Sequence, residues 1–376
     1  MKIGILTQPL HNNYGGLLQA YALQQSLKKI GHEAWLIRRE NPRPPLWRRM
    51  TGAIKRFLLQ FIFNDKRYTL KEERKITSKH TLSFINNHIC PQTALLTTNR
   101  ALKKEANKQK FEGYVVGSDQ VWRPMYSPCI TNYFLDFAEN KTDIKRVAYA
   151  ASFGVDDWEF SKKQTDECRR LTQLFDAVSV RESSGVRLSE DYLHIAAVQT
   201  LDPTLLLNDS DYSALITNTQ ANSTDGVLTC FLDATPDKNK IAGIISEHLK
   251  SKLYSIMPTK KVYGTQKEEH EMCVYQPVEK WIAAFKTAKY VVTDSFHACV
   301  FSIIFNKPFI AIGNKERGMA RFNSLFDLFS LNSRLISHSS QLTNETIDSE
   351  IDWNKINFTK KQKQEESLLF LKRNLS

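Results

Sequence analysis

The sequence predicts an α/β fold in two domains, and three observations support this prediction. The chain has 376 residues, which is long for one hydrophobic core and sufficient for two domains of ordinary size. Short apolar segments alternate with segments that carry apolar residues at helical spacing, which is typical of a sheet covered by helices. This alternation occurs twice, and a polar stretch at 217–226 separates the two runs.

The first domain is predicted to open with a strand, a helix and a second strand. IGIL at 3–6 and AWLI at 34–37 predict the strands, and residues 15–30 predict the helix. This unit is typical of the start of a Rossmann-like sheet. Further strands are predicted where the sequence is short and apolar throughout. They are YVVG (114–117), VAYAAS (147–152) and AVSV (177–180).

The second domain is predicted from another set of apolar segments with helices between them. The strand candidates are VLTCFL (227–232), LYSIM (253–257), MCVY (272–275), YVVT (290–293) and PFIAI (308–312). We therefore expect a first Rossmann-like domain at 1–207, with a basic helical insertion at about 42–110. We expect a second Rossmann-like domain at 227–345 and a helical tail at 346–376.

Composition favours a soluble globular enzyme, with 41% hydrophobic and 24% charged residues. No segment reaches the roughly 18 apolar residues that a membrane span needs, and the start does not resemble a signal peptide. We therefore expect a cytoplasmic protein. The six cysteines are scattered without a CxxC pair, so we expect reduced thiols and no metal site.

The positive charge is concentrated in one segment. The formal net charge is +12, and residues 38–110 hold 18 Lys/Arg against 5 Asp/Glu. Nucleic acid, an anionic membrane surface or a phosphate-bearing lipid-linked acceptor would each suit such a segment. No nucleic-acid-binding signature accompanies it, so we expect no nucleic-acid partner. Residues 46–62 predict a basic amphipathic helix, which would either dock on the inner membrane face or pack on the protein's own core.

Two segments near the start contain glycine directly after a predicted strand. In PLHNNYGGLLQAYAL (9–23), Gly15 and Gly16 allow backbone amides to approach an anion at a helix N-terminus. The segment lacks the GxGxxG spacing of a dinucleotide site, and a tight strand-to-helix turn is the alternative interpretation. The adjacent Asn13 and Tyr14 are candidates for contact with an acceptor sugar.

The second of these segments is VVGSDQVWRP (115–124), at the carboxyl end of a predicted strand, where open α/β sheets bind ligands. Trp122 could stack on a sugar ring and Asp119 could accept hydrogen bonds from its hydroxyls. Ser118 and Gln120 complete the predicted acceptor contacts. Ser118 and Asp119 could instead cap a helix.

Arginines in two further segments are candidates for anion binding. Arg181 follows a predicted strand in SVRESSGVRL (179–188), and a guanidinium is suited to bidentate contact with phosphate or carboxylate. An Arg–Glu surface pair is the alternative. Arg317 and Arg321 in KERGMARFNSLF (315–326) could clamp a phosphate, or could belong to a solvated basic turn.

The segment YVVTDSFHACVFSIIFNKPFIAIGN (290–314) is the most informative. A predicted strand ends at Asp294 and Ser295, and His297 follows in the first turn of an apolar helix. A histidine at such a corner is well placed for proton transfer or anion binding. A structural histidine is the alternative.

Taken in order, NYGGLLQAYAL, GSDQVW, VRE, LDPT and DSFHACVFSIIFNKPFIAI resemble the polysaccharide pyruvyl transferase family, over residues 1–329. The resemblance implies an α/β fold of two Rossmann-like domains facing across a cleft, in a GT-B-like arrangement. It implies phosphoenolpyruvate as donor, and a sugar or lipid-linked oligosaccharide as acceptor. The implied product is a pyruvate ketal on a surface polysaccharide or its precursor, and no metal or organic cofactor is implied.

The resemblance also assigns roles to residues. The family histidine corresponds to His297, and an upstream family arginine corresponds to Arg181. Members carry an arginine two residues before the histidine, where this chain has Ser295. We hypothesise that Arg317 or Arg321 supplies the missing charge. The predicted donor site is completed by Ser295 and by the amides near Gly15 and Gly16. His297 is the predicted acid–base residue, and Asp119 and Asp294 would orient the acceptor or accept its proton.

Two other functions remain open from the sequence. A GT-B-like glycosyltransferase that uses a nucleotide sugar would share the fold, but it would need a ribose-binding glutamate late in the second domain. No persuasive glutamate of that kind follows residue 313. A non-catalytic carbohydrate-binding relative is the other alternative, and the substitution at Ser295 favours it.

Overall fold

The structure is a computed structural model that describes residues 1–42, 50–51, 68–216, 225–263, 265, 267–313 and 318–376. The amphipathic segment predicted at 46–62 therefore lies outside the described residues, apart from two positions. In the described part of the predicted 42–110 insertion, three helices are present, and parallel bridges join Leu36 to Gln92 and Arg39 to Leu96.

The strands are short, as expected for the interior of an α/β protein. In chain order they are β1 (Lys2–Leu6), β2 (Glu33–Leu36), β3 (Gly113–Val116), β4 (Lys145–Ala151), β5 (Ala177–Val180), β6 (Val198–Gln199), β7 (Val227–Cys230), β8 (Leu253–Ser255), β9 (Tyr290–Thr293), β10 (Phe309–Ile312) and β11 (Leu335–Ile336).

The α-helices of the described residues connect and cover these strands. They are α1 (Tyr14–Lys29), α2 (Leu70–Thr77), α3 (Lys79–His88), α4 (Asn99–Gln109), α5 (Lys162–Thr172), α6 (Ser183–Leu193), α7 (Asp209–Ser213), α8 (Pro236–His248), α9 (Val278–Thr287), α10 (Phe296–Ile304), α11 (Ala320–Phe329), α12 (Asn344–Asp348) and α13 (Trp353–Asn374). No helix in the described part of the chain is long and apolar enough to span a membrane.

The strands form two parallel sheets with the same connectivity. The first has the order β2-β1-β3-β4-β5-β6 and the second has the order β11-β10-β9-β7-β8. Counted from β7, the second sheet repeats the order of the first five strands of the first sheet. In both sheets the order reverses once, between β1 and β3 and between β7 and β9. Parallel α/β sheets bind ligands at such a switch point, outside the carboxyl ends of the strands.

One predicted strand is wrong. MCVY at 272–275 was expected to join the second sheet, but its first two residues end a 3-10 segment, Lys267–Cys273. The backbone amide of Tyr275 donates to the carbonyl of Thr77 instead of to a sheet neighbour. Cys273 and Val274 are buried although they belong to no strand. A short apolar run predicts that a segment is buried, but it does not predict whether the backbone forms a strand.

The two domains share one apolar core. Leu17 and Leu18 of α1 pack in the same buried cluster as Trp281 of α9 and Phe301 of α10. Tyr14 stacks on Trp281 with ring centres 5.3 Å apart. Between α6 and α11, the amide of Ser183 donates to Oγ of Ser324 over 3.0 Å. These contacts fix the carboxyl edges of the two sheets against each other.

The helical tail predicted at 346–376 contains the long helix α13, which spans Trp353–Asn374. It returns to the first domain, where Leu371 shares a buried cluster with Ile3 and Ile5 of β1. The amide of Leu201 donates to Oγ of Ser367 over 3.1 Å. The predicted tail is therefore packed as a part of the first domain.

Candidate active site

The N-termini of two helices from different domains meet between the sheets. Gly15 lies in the first turn of α1 and His297 in the first turn of α10. A methyl group added at Gly15 would lie only 2.0 Å from Nδ1 of His297. The imidazole therefore packs directly on the glycine backbone. Because helix N-termini favour negative charge, this meeting point suits an anionic ligand.

A buried carboxylate joins the key residues of this region. Oδ2 of Asp202 accepts a hydrogen bond from Nη1 of Arg181 over 2.7 Å and lies 3.6 Å from Nε2 of His297. Its other oxygen, Oδ1, accepts from the amide and the hydroxyl of Thr204, at 3.0 and 2.6 Å. Asp202 thus holds an arginine of the first domain beside a histidine of the second.

Electrostatic interactions favour the charged forms of Asp202 and Arg181. Burial by itself would raise the pKa of Asp202, but His297 and Arg181 outweigh it and the pKa is lowered. Burial opposes the charge of Arg181, but Asp202, Asp119 and Glu182 raise its pKa above the usual value. The guanidinium therefore stays charged although Arg181 is only 4% exposed.

A second guanidinium lies close to the first. Arg181 and Arg321 both approach the ring of Phe296, with Cζ atoms 4.9 and 5.8 Å from its centre. Burial, together with the charge of Arg181, lowers the pKa of Arg321 to about 10. Asp119 and Glu182 act on Arg321 in the opposite direction. Since a guanidinium is suited to bidentate contact with phosphate or carboxylate, each of the two arginines is a candidate to bind such a group.

Asp119 borders the same group of residues from the loop that follows β3. Its Oδ1 lies 3.6 Å from Nη2 of Arg181, and its backbone is left-handed, with φ at 63°. Glu182 fixes the facing loop, because its Oε1 accepts hydrogen bonds from the amides of Phe153 and Gly154, at 2.6 and 2.9 Å. Asp119 thus remains a candidate for proton transfer, while Glu182 is a positioning residue.

The predicted sugar contact of Trp122 requires correction. The indole is fully buried, stacks on Phe134 with ring centres 5.0 Å apart, and donates from Nε1 to the carbonyl of Tyr133. Both faces of the ring are occupied by the core of the first domain. Ser118 is also fully buried, and its hydroxyl donates to the carbonyl of Ala150 over 2.6 Å. Neither side chain is available to a sugar in this structure.

Tyr14 requires the same correction. Its ring is buried between the domains, and its hydroxyl donates to the carbonyl of Gln276 over 2.9 Å. Tyr14 therefore stabilises the domain interface. Of the other residues predicted to contact the acceptor, Asn13 is exposed at the start of α1, and Gln120 is partly buried. The side-chain oxygen of Gln120 accepts a hydrogen bond from Arg123 over 3.3 Å.

Asp294 does not have the free oxygens that a general base needs. Its Oδ1 accepts from the amide of Leu232, and Oδ2 accepts from the amide of Asp233 and from Nζ of Lys238, at 2.6, 3.1 and 2.6 Å. Asp294 is 1% exposed. Its carboxylate joins the loop after β9 to the loop after β7, where the strand order of the second sheet reverses. The role predicted for Asp294 in catalysis is therefore replaced by a structural one.

This correction makes a testable prediction. Asp294→Asn is expected to lower the free energy of unfolding by about 3 kcal/mol, because it leaves the buried ammonium of Lys238 without its counter-charge. Turnover per folded molecule should stay close to that of the wild type. Chemical denaturation and an activity assay on the same sample measure the two quantities, with the exposed Asp157→Asn as control. A stable but inactive variant would restore Asp294 to the mechanism.

Arg317, Gly16 and Ser295 are the remaining residues that were predicted to bind the donor. Arg317 lies outside the described residues. Gly16 follows Gly15 in α1 and faces only the side chain of Asn13. Ser295 precedes α10, and its amide donates to Oγ1 of Thr293 over 3.0 Å.

A pocket of about 460 Å³ opens beside the paired guanidiniums. Arg181, Asp202, Phe296 and Arg321 line it, together with residues of α11 and α13. The carboxyl end of the first sheet therefore forms one side of the pocket, and the second domain forms the opposite side. Interdomain clefts of this size are usual sites for small molecules.

Two residues of this site were not identified from the sequence. Asp202 lies in the LDPT segment that contributes to the family resemblance, and Phe296 precedes the predicted catalytic histidine. An aspartate before a proline after a strand reads as a turn residue. Only its contacts with two residues distant in sequence show its role. Within the described ranges, no group of His, Cys, Asp and Glu is arranged to hold a metal ion.

Comparison with protein families gives one match. The family model described as polysaccharide pyruvyl transferase matches residues 13–316, which is more than half of the chain. Arg181, Asp202 and His297 lie within the matched range, whereas Arg321 and α13 lie beyond it. A search of curated proteins finds no match.

Solved structures share the fold of this chain. The S. aureus MnaA–UDP structure is 13% identical and covers 100% of this chain and 97% of its own, with a TM-score of 0.51. The Methanocaldococcus jannaschii UDP-GlcNAc 2-epimerase, solved with UDP-GlcNAc and UDP, is 12% identical, covers 99% of each chain and has a TM-score of 0.51. These likenesses confirm the predicted pair of Rossmann-like domains in a GT-B-like arrangement.

Proposed function

Because the chain belongs to the polysaccharide pyruvyl transferase family and is thus a transferase, we propose that it transfers a pyruvyl group from phosphoenolpyruvate to two hydroxyls of a sugar. The observation that carries this proposal is the pair of buried guanidiniums, Arg181 and Arg321, which line one interdomain pocket. His297 lies 3.6 Å from the Asp202 carboxylate that holds Arg181. Phosphoenolpyruvate carries a phosphate and a carboxylate, and two cations side by side match these two anions.

In the proposed donor site, Arg181 and Arg321 bind the two anionic groups. Asp202 keeps Arg181 in place through the 2.7 Å hydrogen bond. The meeting of the two helix N-termini at Gly15 and His297 adds positive potential. Arg321 thus takes the part of the family arginine that Ser295 replaces. In this proposal the substitution at Ser295 moves the charge to α11 without removing it.

The proposed reaction begins with a proton transfer from His297 to the methylene carbon of phosphoenolpyruvate. The adjacent carbon then carries oxocarbenium character, and a sugar hydroxyl attacks it while its proton passes to Asp119 or to water. The carbon–oxygen bond to phosphate breaks and inorganic phosphate leaves with the electron pair. A second sugar hydroxyl attacks the same carbon, loses its proton and closes the ketal. General acid–base catalysis of this kind contributes about 10²–10⁴-fold to a rate.

The setting of the reaction belongs to the same proposal. We place the enzyme in the cytoplasm, where phosphoenolpyruvate is made, and its product on an exopolysaccharide or its lipid-linked precursor. The basic segment at 38–110, with 18 Lys/Arg, would draw it to the anionic inner membrane face through residues 46–62.

The proposal predicts saturable binding of phosphoenolpyruvate, measured by calorimetric titration of the full chain. Arg321→Gln should weaken this binding about tenfold or more, because one charge-assisted contact is lost. Arg187→Gln is the matched control, since Arg187 is exposed on α6 and lies away from the pocket.

A parallel titration with UDP-GlcNAc separates the proposal from its alternatives. Binding of UDP-GlcNAc without binding of phosphoenolpyruvate would replace the proposed function by that of a nucleotide-sugar enzyme. If neither ligand binds, even with a lipid-linked oligosaccharide extract of the source organism present, the donor site assigned here is wrong.

A further inference from the structure

The pocket beside the guanidiniums extends beyond the proposed donor site. Helix α13 lines it through Lys363, Glu366, Leu369, Phe370 and Arg373, and α11 lines it through Leu328. The aromatic and hydroxyl side chains predicted to hold the acceptor are instead buried in the core, as described for Trp122 and Tyr14. Open space next to the donor arginines is therefore bounded by the C-terminal helix, and not by the segment at 115–124.

We infer that the part of the pocket lined by α13 is the acceptor subsite, and that Arg373 selects a sugar that carries an anionic group. Only the identification of the ligand as the acceptor rests on the proposed function. The chemistry that it assigns to the subsite, a sugar phosphate or an acidic sugar, is independent of the donor.

Charged side chains of α13 line the pocket. Arg373 lines the pocket and is exposed, and within the described residues its guanidinium has no hydrogen-bond or ion-pair partner. Lys363 is partly buried and pairs with Glu366 over 2.7 Å. Glu366 lines the pocket as well, so it balances the charge of Lys363. Arg373 lies about 15 Å from Lys363 along α13, and a phosphate or carboxylate would meet Arg373 as the cation without a counter-charge in the described part of the pocket.

Apolar side chains also line the pocket. Leu328, Leu369 and Phe370 present apolar surface inside the pocket. Sugar rings bury their C–H faces against such surfaces, while their hydroxyls point to polar groups. A ligand with an apolar ring face and an anionic group fits a pocket that is lined both by these apolar residues and by Arg373.

The wall is held rigidly, as a specificity element should be. Oγ of Ser367 accepts a hydrogen bond from the amide of Leu201 over 3.1 Å. Leu371 is fully buried and packs against β1. These two residues anchor the face of α13 that lies between Lys363 and Arg373. In addition, α13 lies beyond residues 13–316, the part of the chain that matches the family model.

The test is a titration of the full chain, saturated with phosphoenolpyruvate, followed by saturation-transfer NMR of the sugar. The probes are glucosyl phosphate, glucuronate and glucose. An anionic probe should bind about tenfold more tightly than glucose, the effect of one charged contact. Arg373→Ala should weaken its binding about fivefold, and Lys372→Ala should not, since the adjacent Lys372 is exposed and does not line the pocket.

Each outcome decides the inference. Tighter binding of glucosyl phosphate alone assigns the anion as a phosphate, and tighter binding of glucuronate alone assigns it as a carboxylate. Equal binding of glucose, or equal effects of Arg373→Ala and Lys372→Ala, would overturn the inference. A repeat without phosphoenolpyruvate keeps the two proposals apart. If the donor does not bind but Arg373→Ala still weakens the sugar phosphate, the donor proposal fails and the subsite stands.

Discussion

Gly15→Ala is expected to lower turnover by about 100-fold, because it displaces the imidazole of His297 by the order of an ångström. The added methyl group would lie 2.0, 2.3 and 2.7 Å from three atoms of the ring. The ring is attached close to the backbone of a buried helix, so it cannot move aside as the end of a long side chain could. It must rotate away from Asp202, and the proposed proton donor then leaves its position.

Gly16→Ala is the matched control for this prediction. The nearest atoms to a methyl group at Gly16 belong to Asn13 and lie 3.4 Å away or more, which is ordinary contact. Alanine also has a higher helix propensity than glycine, so this variant should be at least as stable as the wild type. Phosphate release from phosphoenolpyruvate, assayed with a lipid-linked oligosaccharide extract, measures turnover. Circular dichroism confirms that both variants fold.

Wild-type turnover in Gly15→Ala would show that His297 tolerates displacement and is not the proton donor. An unfolded Gly15→Ala protein would leave the question to His297→Gln, which adds no volume at the helix contact. If this second variant also keeps full turnover, the assignment of His297 is wrong.

Asp202→Asn is expected to destabilise the protein by about 3–5 kcal/mol, the usual effect of removing one partner from a buried ion pair. The substitution leaves the charge of Arg181 without its 2.7 Å partner. It also removes the anion that faces Nε2 of His297 at 3.6 Å. Arg181 is then free to leave the donor site, so the affinity for phosphoenolpyruvate should fall as well as the stability.

The effect of Asp202 depends on pH in a defined direction. Its pKa in the folded protein lies below the ordinary value of 3.8. A carboxylate with a lowered pKa contributes stability above its unfolded pKa and loses that contribution as the pH falls towards the folded value. The difference in unfolding free energy between the wild type and Asp202→Asn should therefore be full at neutral pH and shrink below about pH 4.

Chemical denaturation at a series of pH values measures this difference. The exposed Asp191→Asn should show a much smaller difference at every pH. A constant difference between the wild type and Asp202→Asn down to pH values well below about 4 would mean that Asp202 is not the charged partner of Arg181.

Local patterns predicted most of the sheet framework. The strands predicted at 177–180 and 290–293 have the bounds of β5 and β9, because a buried strand is short, apolar and bounded by polar residues. The two-residue strands β6 and β11 were not predicted. Such strands are fixed by hydrogen bonds to a neighbour, and their own sequence contains no pattern.

The site was less predictable than the sheets, because its members come together from distant parts of the chain. The sequence placed Arg181 and His297 at the ends of strands, where ligands bind. It could not show that Asp202 joins them. Arg181 and Asp202 meet because the strands that precede them, β5 and β6, pair, and His297 reaches Asp202 only through the packing of the second domain on the first. Trp122 shows the opposite error, because an aromatic residue after a glycine turn can face either a ligand or the core. Its hydrogen bond to the carbonyl of Tyr133 settles this for the core.

The return of α13 to the first domain has a consequence for biosynthesis. Ile3 and Ile5 leave the ribosome before the second domain is made, and Leu371, which shares their buried cluster, is translated after the whole second domain. The nascent first sheet therefore carries an uncovered apolar face while the second domain is being made. Such exposed surfaces attract chaperones and promote aggregation. The pocket, which needs α13 as a wall, forms last, so no partly synthesised chain can hold a complete binding site.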